Sequence, residues 1–191
     1  MIVVIPTILD APDERRANLV RLVCRWESLG FRVVALIAGS AASPDNHKAM
    51  VADALRLADG EAVIWCEDDV ILSSRIEEAL SLLADDPVSL YVPNEAFLPR
   101  RYDRDRFGCY PMRAEARWWG SQCVYLPPSV HPAIIDACGS VVGGGDIAMR
   151  EGIRQTGGRL HVIAPNAVEH PGWPSVTSNR YKAHRSPDYA G

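Results

Sequence analysis

The sequence lacks the marks of several large protein classes. No apolar run approaches the ~20 residues needed to cross a bilayer. The opening MIVVIPTILD is too short for a secretory leader and has no basic segment ahead of its apolar residues. A soluble, cytoplasmic protein with no membrane partner is expected. Cysteine is sparse and unpaired in pattern: Cys24, Cys66, Cys109, Cys123 and Cys138 are odd in number, and no two form a CxxC pair. That argues against a zinc ribbon or a disulfide framework and fits free thiols in a reducing compartment. Neither sign of charge dominates, and the net charge of -4 gives no overall pull toward nucleic acid or anionic lipid. No internal repeat or linker divides the chain.

What is present is an ordinary globular composition, 48% apolar over 191 residues, enough for one domain with a sizeable core. MIVVIP reads as a strand buried on both faces. Leu19, Leu22, Val23 and Trp26 then follow helical spacing, with Gly30 as the stop. FRVVALIA is a second strand and GSAASPDN a small-residue loop. The spacing predicts a helix over 47–58 with Val51, Ala54, Leu55 and Ala58 on one face. AVIWC is a third strand. Ser73 or Ser74 should cap a helix bearing Ile76, Ala79, Leu80 and Leu83. VSLYVP, QCVYLP and LHVIAP read as further strands, with helices over 129–138 and from Asp146. Strands alternating with helices predict an α/β domain with a mostly parallel central sheet flanked by helices. Residues 96–117 are rich in Arg and aromatics without a clean period. Residues 175–191 are polar and read as a mobile tail.

The stretch VIWCEDDVILSS places Glu67, Asp68 and Asp69 at the end of a buried strand. Ligands of parallel sheets bind beyond the carboxyl ends of the strands. Two like charges ~4 Å apart repel by up to ~4 kcal/mol at an effective dielectric of ~20. A raised pKa, an Arg or Lys, or a metal cation must offset this. Mg²⁺ commonly takes one or two carboxylates plus phosphate oxygens, so a cation-bound nucleotide diphosphate would explain the triplet. So would solvated acids favouring the N-terminus of the following helix. A haloacid-dehalogenase type of phosphatase would carry its nucleophilic Asp after the first strand, whereas this triplet follows the third.

The order strand, IPT, helix, strand, small-residue loop, helix, strand, EDD resembles the GT-A fold glycosyltransferases, whose DxD motif ends the equivalent strand. GGGDIAMREG resembles their Gly-rich loop and acid under the acceptor site, and APNAVEHPGWPS their late strand with a closing His, Gly and Ser. The resemblance spans Met1 to about Ser178. It implies a single GT-A (Rossmann-like) domain over 1–174, with a donor half over 1–95 and an acceptor half over 96–174. It implies a nucleotide-sugar donor and Mn²⁺ or Mg²⁺ held by Asp69, with His170 as a second ligand or diphosphate contact. Glu67 and Asp68 would bind ribose and donor sugar, Pro6 and Thr7 would line the nucleoside pocket, and Arg15 and Lys48 would reach base or phosphate unless they are solvated helix residues. Asp146 would be the general base, and Gly145 would allow close substrate approach. Asp146 could equally cap a helix. Many inverting relatives have an acidic pair where this chain has Gly145 and Asp146. The QxxRW signature of processive synthases is absent, which points to single transfer.

The chemistry asks for the same parts. A departing diphosphate needs its charge stabilised, and a hydroxyl acceptor needs a carboxylate to take its proton. One base suffices for an inverting transfer. The remaining histidines, His47, His131, His161 and His184, read as structural. Trp118, Trp119 and Gly120 are candidates for the acceptor side, since aromatic faces stack on sugars or bases; one Trp is expected in the core and one at the site. Arg100, Arg101, Arg104, Arg106, Arg113 and Arg117, interleaved with aromatics, could follow a phosphate backbone such as DNA carrying a hydroxymethylated base, although Asp103, Asp105 and Glu115 partly cancel them. A protein hydroxyl, a lipid-linked sugar and a small molecule fit the sequence equally. Nucleotidyl transfer is a further reading, weakened because PTILDAPDERR has no glycine; a non-catalytic nucleotide- or glycan-binding module is another.

Overall fold

The computed structural model describes residues 1–39, 43–112, 118, 120–171, 189 and 191. In chain order the elements are β1 (Ile2–Ile8), α1 (Asp13–Ser28), β2 (Arg32–Ala38), α2 (Pro44–Leu57), β3 (Val63–Cys66), β4 (Ile71–Leu72), α3 (Ile76–Leu80), β5 (Val88–Ser89), β6 (Gly108–Pro111), β7 (Cys123–Leu126), α4 (His131–Ser140), α5 (Gly145–Gln155), β8 (His161–Ala164) and β9 (Val168–Glu169). Seven strands form one sheet in the order β2-β1-β3-β7-β5-β8-β6, and β4 pairs with β9 in a small second sheet. In the large sheet β1, β2, β3, β5 and β8 run one way and β7 and β6 the other. This is the expected mostly parallel α/β sheet.

Period-2 alternation divides the core into two layers. Val63 and Trp65 join Val51, Ala54, Leu55, Ile134, Met149 and Ile153 of α2, α4 and α5 on one face. Ile64 and Cys66 join Leu22 and Trp26 of α1 and Ile76 and Ala79 of α3 on the other. The α4–α5 contact is close because Gly152 has no side chain: a Cβ there would lie 2.5 Å from Ile134 Cα.

Local chemistry sets where the sheet opens. Ile2 N–H donates to Ala62 O, so the even-numbered amides of β1 face β3. Pro6 occupies the same phase and has no N–H to give, and the β1–β3 ladder ends at Val4 opposite Trp65. The two strands therefore part just before Glu67. Helix α2 starts at Pro44 under a Ser43 cap that accepts the Asn46 N–H at 3.1 Å, three residues before the expected start. Ser73 accepts the Arg75 N–H, but α3 stops at Leu80, short of Leu83. Strands β6, β4 and β9 have no sequence forecast. All five cysteines are free thiols. Among the described residues no helix is long and apolar enough to cross a membrane. The expected tail lies almost wholly outside the described residues.

Candidate active site

The acidic triplet leaves β3 at the carboxyl end of the parallel strands. β3 ends at Cys66 and the chain turns at Asp68 and Asp69, both of which meet Arg15 of α1, whereas Glu67 faces Ser121 and His47. Asp68 is fully buried. Its Oδ2 accepts from Thr7 Oγ1 at 2.6 Å. Its Oδ1 accepts from Arg15 Nε at 2.8 Å and also from Nη2. Asn18 donates to the backbone carbonyls of Asp68 and Val70 at 2.9 and 2.7 Å. Thr7, Arg15 and Asn18 thus clamp the strand end from inside.

This corrects three expected roles. Asp68 is completely buried and both its oxygens are engaged within the protein, so a ribose cannot reach it. The Thr7 hydroxyl is committed to Asp68. Arg15, 5% exposed, is an internal counter-cation that also stands 3.3 Å from Asp69 Oδ2, so it is neither a solvated helix residue nor free to reach a phosphate. Lys48 is corrected as well: its ammonium donates to Val141 O at 2.9 Å and pairs with Asp45 at 3.0 Å, engaged at the end of α4 instead of at the triplet.

Asp69 meets His170 because β9 pairs with β4. Ile71 lies opposite Glu169, which sets His170 opposite Val70. His170 Nε2 is 3.3 Å from Asp69 Oδ2. Burial alone would raise the Asp69 pKa, but the His170 hydrogen bond and the Arg15 charge outweigh it and hold the carboxyl below its usual range. The other two polar atoms of the pair, Asp69 Oδ1 and His170 Nδ1, are buried with no hydrogen-bond partner among the described residues. Buried polar atoms are rarely left so. A hard cation accepts carboxylate oxygen, so Asp69 Oδ1 fits one ligand of a divalent metal. Among the described residues no group of three or more His, Cys, Asp and Glu side chains is placed to hold a metal unaided. The remaining ligands would have to be substrate oxygens and water.

Glu67 lies on the Trp65 face. Its Oε1 accepts from Ser121 Oγ at 2.7 Å and stands 3.9 Å from His47 Nε2. Burial, with the Asp69 charge added, pushes its carboxyl up to about 7. Across from it, α5 begins at Gly145. Its N-cap is Gly144, not Asp146, which sits in the first turn. Gly120, at φ 94°, points its N–H to Asp146 Oδ2 at 3.5 Å. Gly145 donates its N–H to His47 Nδ1 at 3.2 Å.

Trp118 is fully buried in the α2–α4–α5 core layer, which corrects its acceptor role. Trp119 lies outside the described residues, as do Arg113 and Arg117. Arg100, Arg101, Arg104 and Arg106 are exposed on the loop leading into β6. Sequence reasoning missed His47, Asn18 and Ser121. His47 was legible, since it stands four residues before Val51 on the core-facing stripe of α2.

No family model and no curated protein matches the sequence. The architecture, however, is that of glycosyltransferases. A glycosyltransferase involved in glycosylation of the major capsid of PBCV-1 superposes with a TM-score of 0.53, at 10% identity, over 85% of this chain and 81% of its own. A Drosophila beta-1,4-galactosyltransferase 7, solved with manganese, UDP-Gal and xylobiose, superposes with a TM-score of 0.51, at 9% identity, over 89% of this chain and 71% of its own. The likeness is one of fold, a GT-A-like mixed α/β domain.

Proposed function

We propose that the protein is a metal-dependent, inverting glycosyltransferase that moves a sugar from a nucleotide-sugar donor to a hydroxyl acceptor. The observation that carries the reading is the buried Asp69 Oδ1, without a hydrogen-bond partner among the described residues, just beyond the carboxyl end of β3, the end at which parallel sheets bind their ligands. Asp69 would hold the Mn²⁺ or Mg²⁺, with His170 as second ligand or diphosphate contact. Such a cation supplies Lewis-acid stabilisation of the departing diphosphate.

The chain's own residues do the rest. Pro6, where β1 and β3 part, lines the nucleoside pocket. Thr7, Arg15 and Asp68 fix the strand end and neutralise charge beneath it. Glu67, held by Ser121, takes a donor sugar hydroxyl. Asp146 accepts the proton of the acceptor hydroxyl as its oxygen attacks the anomeric carbon. The bond from that carbon to the diphosphate oxygen breaks, and the electron pair leaves with the diphosphate. Gly120 N–H steadies Asp146; the expected acceptor role of Gly145 is corrected, because the space beside it is filled by His47 and Val51. The base comes from a different segment than the diphosphate site, as in-line displacement requires.

The test is a thermal-shift panel of UDP-, GDP-, TDP- and CDP-sugars, each with Mn²⁺ and with EDTA. A ligand at 100 times its Kd adds about 2.7 kcal/mol of stability, a shift of several degrees. A shift for one nucleotide class that disappears in EDTA is expected. No shift with any donor would overturn the reading, and a shift without turnover would leave a binding module.

A further inference from the structure

His47 joins three segments that are remote in sequence. It projects from the first turns of α2, and its ring lies against Trp65 of β3 with centroids 5.5 Å apart. Its Nδ1 accepts the N–H of Gly145 at the start of α5. A ring nitrogen that accepts a backbone N–H carries no proton, so the neutral ring has its proton on Nε2. Burial lowers the ring pKa, partly opposed by the charge of Asp146, which favours that neutral form. The Nε2 side then faces Glu67 Oε1.

The start of α5 needs such a partner. The first amides of a helix have no acceptor within it, and Gly144 has no side chain to cap them. Gly145 is shaped for the ring: a Cβ there would lie 3.2 Å from the imidazole and 2.8 Å from Val51 Cγ2. The residue after Gly145 is Asp146.

We propose that His47 is a positioning residue that pins the first turn of α5, and with it Asp146, against β3 and the donor-side carboxylate Glu67, so that one imidazole sets the separation of the two halves of the cleft. The role for Asp146 rests on the glycosyltransferase reading; the pinning does not.

Three variants separate the contacts. In His47→Asn the side-chain oxygen falls near the place of Nδ1 and can accept the Gly145 N–H. In His47→Gln the amide reaches toward Glu67 and leaves Gly145 without a partner. His47→Ala removes both. Two quantities would be read: hydrogen exchange of the Gly145 amide by NMR, and nucleoside diphosphate release from the nucleotide sugar selected by the thermal-shift panel. Loss of one such hydrogen bond should speed exchange about tenfold in the Ala and Gln variants. Turnover should fall by a similar factor through kcat, with the donor thermal shift retained. His47→Asn should recover protection and most of the turnover, which a variant that merely loosens the fold would not. Wild-type protection in His47→Ala, or lost protection with full turnover, would overturn the proposal. If the wild-type protein neither binds nor turns over any nucleotide sugar, the glycosyltransferase reading fails, and exchange alone decides the pinning by the same criterion.

Discussion

The two sides of the cleft are built differently. The donor side is fastened by a buried polar cluster in which Thr7, Arg15 and Asn18 hold the Asp68 segment through five hydrogen bonds. The acceptor side of the proposed site, at the start of α5, has lone polar contacts, the imidazole on Gly145 and the longer approach of Gly120 to Asp146, while the apolar face of α5 packs on α2 and α4. Buried networks that are fully satisfied rigidify their surroundings. On the proposed glycosyltransferase reading, a site that holds a charged donor in one register gains from the firmer donor side.

The comparison breaks first at Arg15. Arg15→Met strands Asp68 as a buried, uncompensated charge and should cost about 3–5 kcal/mol in urea unfolding. Asp146→Asn should leave urea stability within about 0.5 kcal/mol, since Asp146 is partly exposed and Asn keeps an oxygen for the long approach of the Gly120 N–H. The same substitution should lower transfer by ~10²–10⁴-fold while donor binding persists; normal transfer would remove Asp146 from the base role. Asp69→Ala should abolish the metal-dependent part of the donor thermal shift, and an undiminished shift would sink its assignment as ligand. The smallest effect concerns Glu67. Its folded pKa of about 7 lies above the ordinary carboxylate value, so the folded state holds that proton more tightly. Stability therefore falls as pH rises from ~4.5 through about 7. Glu67→Gln keeps an acceptor for Ser121 and removes this slope. It should melt a few degrees above wild type at pH 8, with the advantage shrinking toward pH 5.

The alternation of strands and helices and the mostly parallel sheet were legible where periodicity was strong, whereas the order of strands in the sheet was not forecast. MIVVIP and AVIWC are inner strands buried on both faces, FRVVALIA is the partly exposed edge strand β2, and Val51, Ala54, Leu55 and Ala58 could share a face only on a helix. Strands β4 and β9, of two residues each, are too short to show a period, and β6 sits at a sheet edge among arginines. At the site, the closeness of His170 to Asp69 agrees with the order of the motifs along the chain. The commitments of Arg15 and Thr7 to Asp68 did not, because contacts across 53 and 61 residues leave no local trace.

Gly152 has a consequence for anyone altering this protein. Helix α5 rides on α4 at a height set by a hydrogen atom, because even a methyl at position 152 would meet the Ile134 backbone. Asp146 stands six residues earlier on the same helix. Gly152 acts as a shim of zero thickness, and the reach of the acceptor side is calibrated by an atom that is not there. A screen for altered acceptors would do well to vary the pair Gly152 and Ile134 together, moving the whole helix without touching a polar residue.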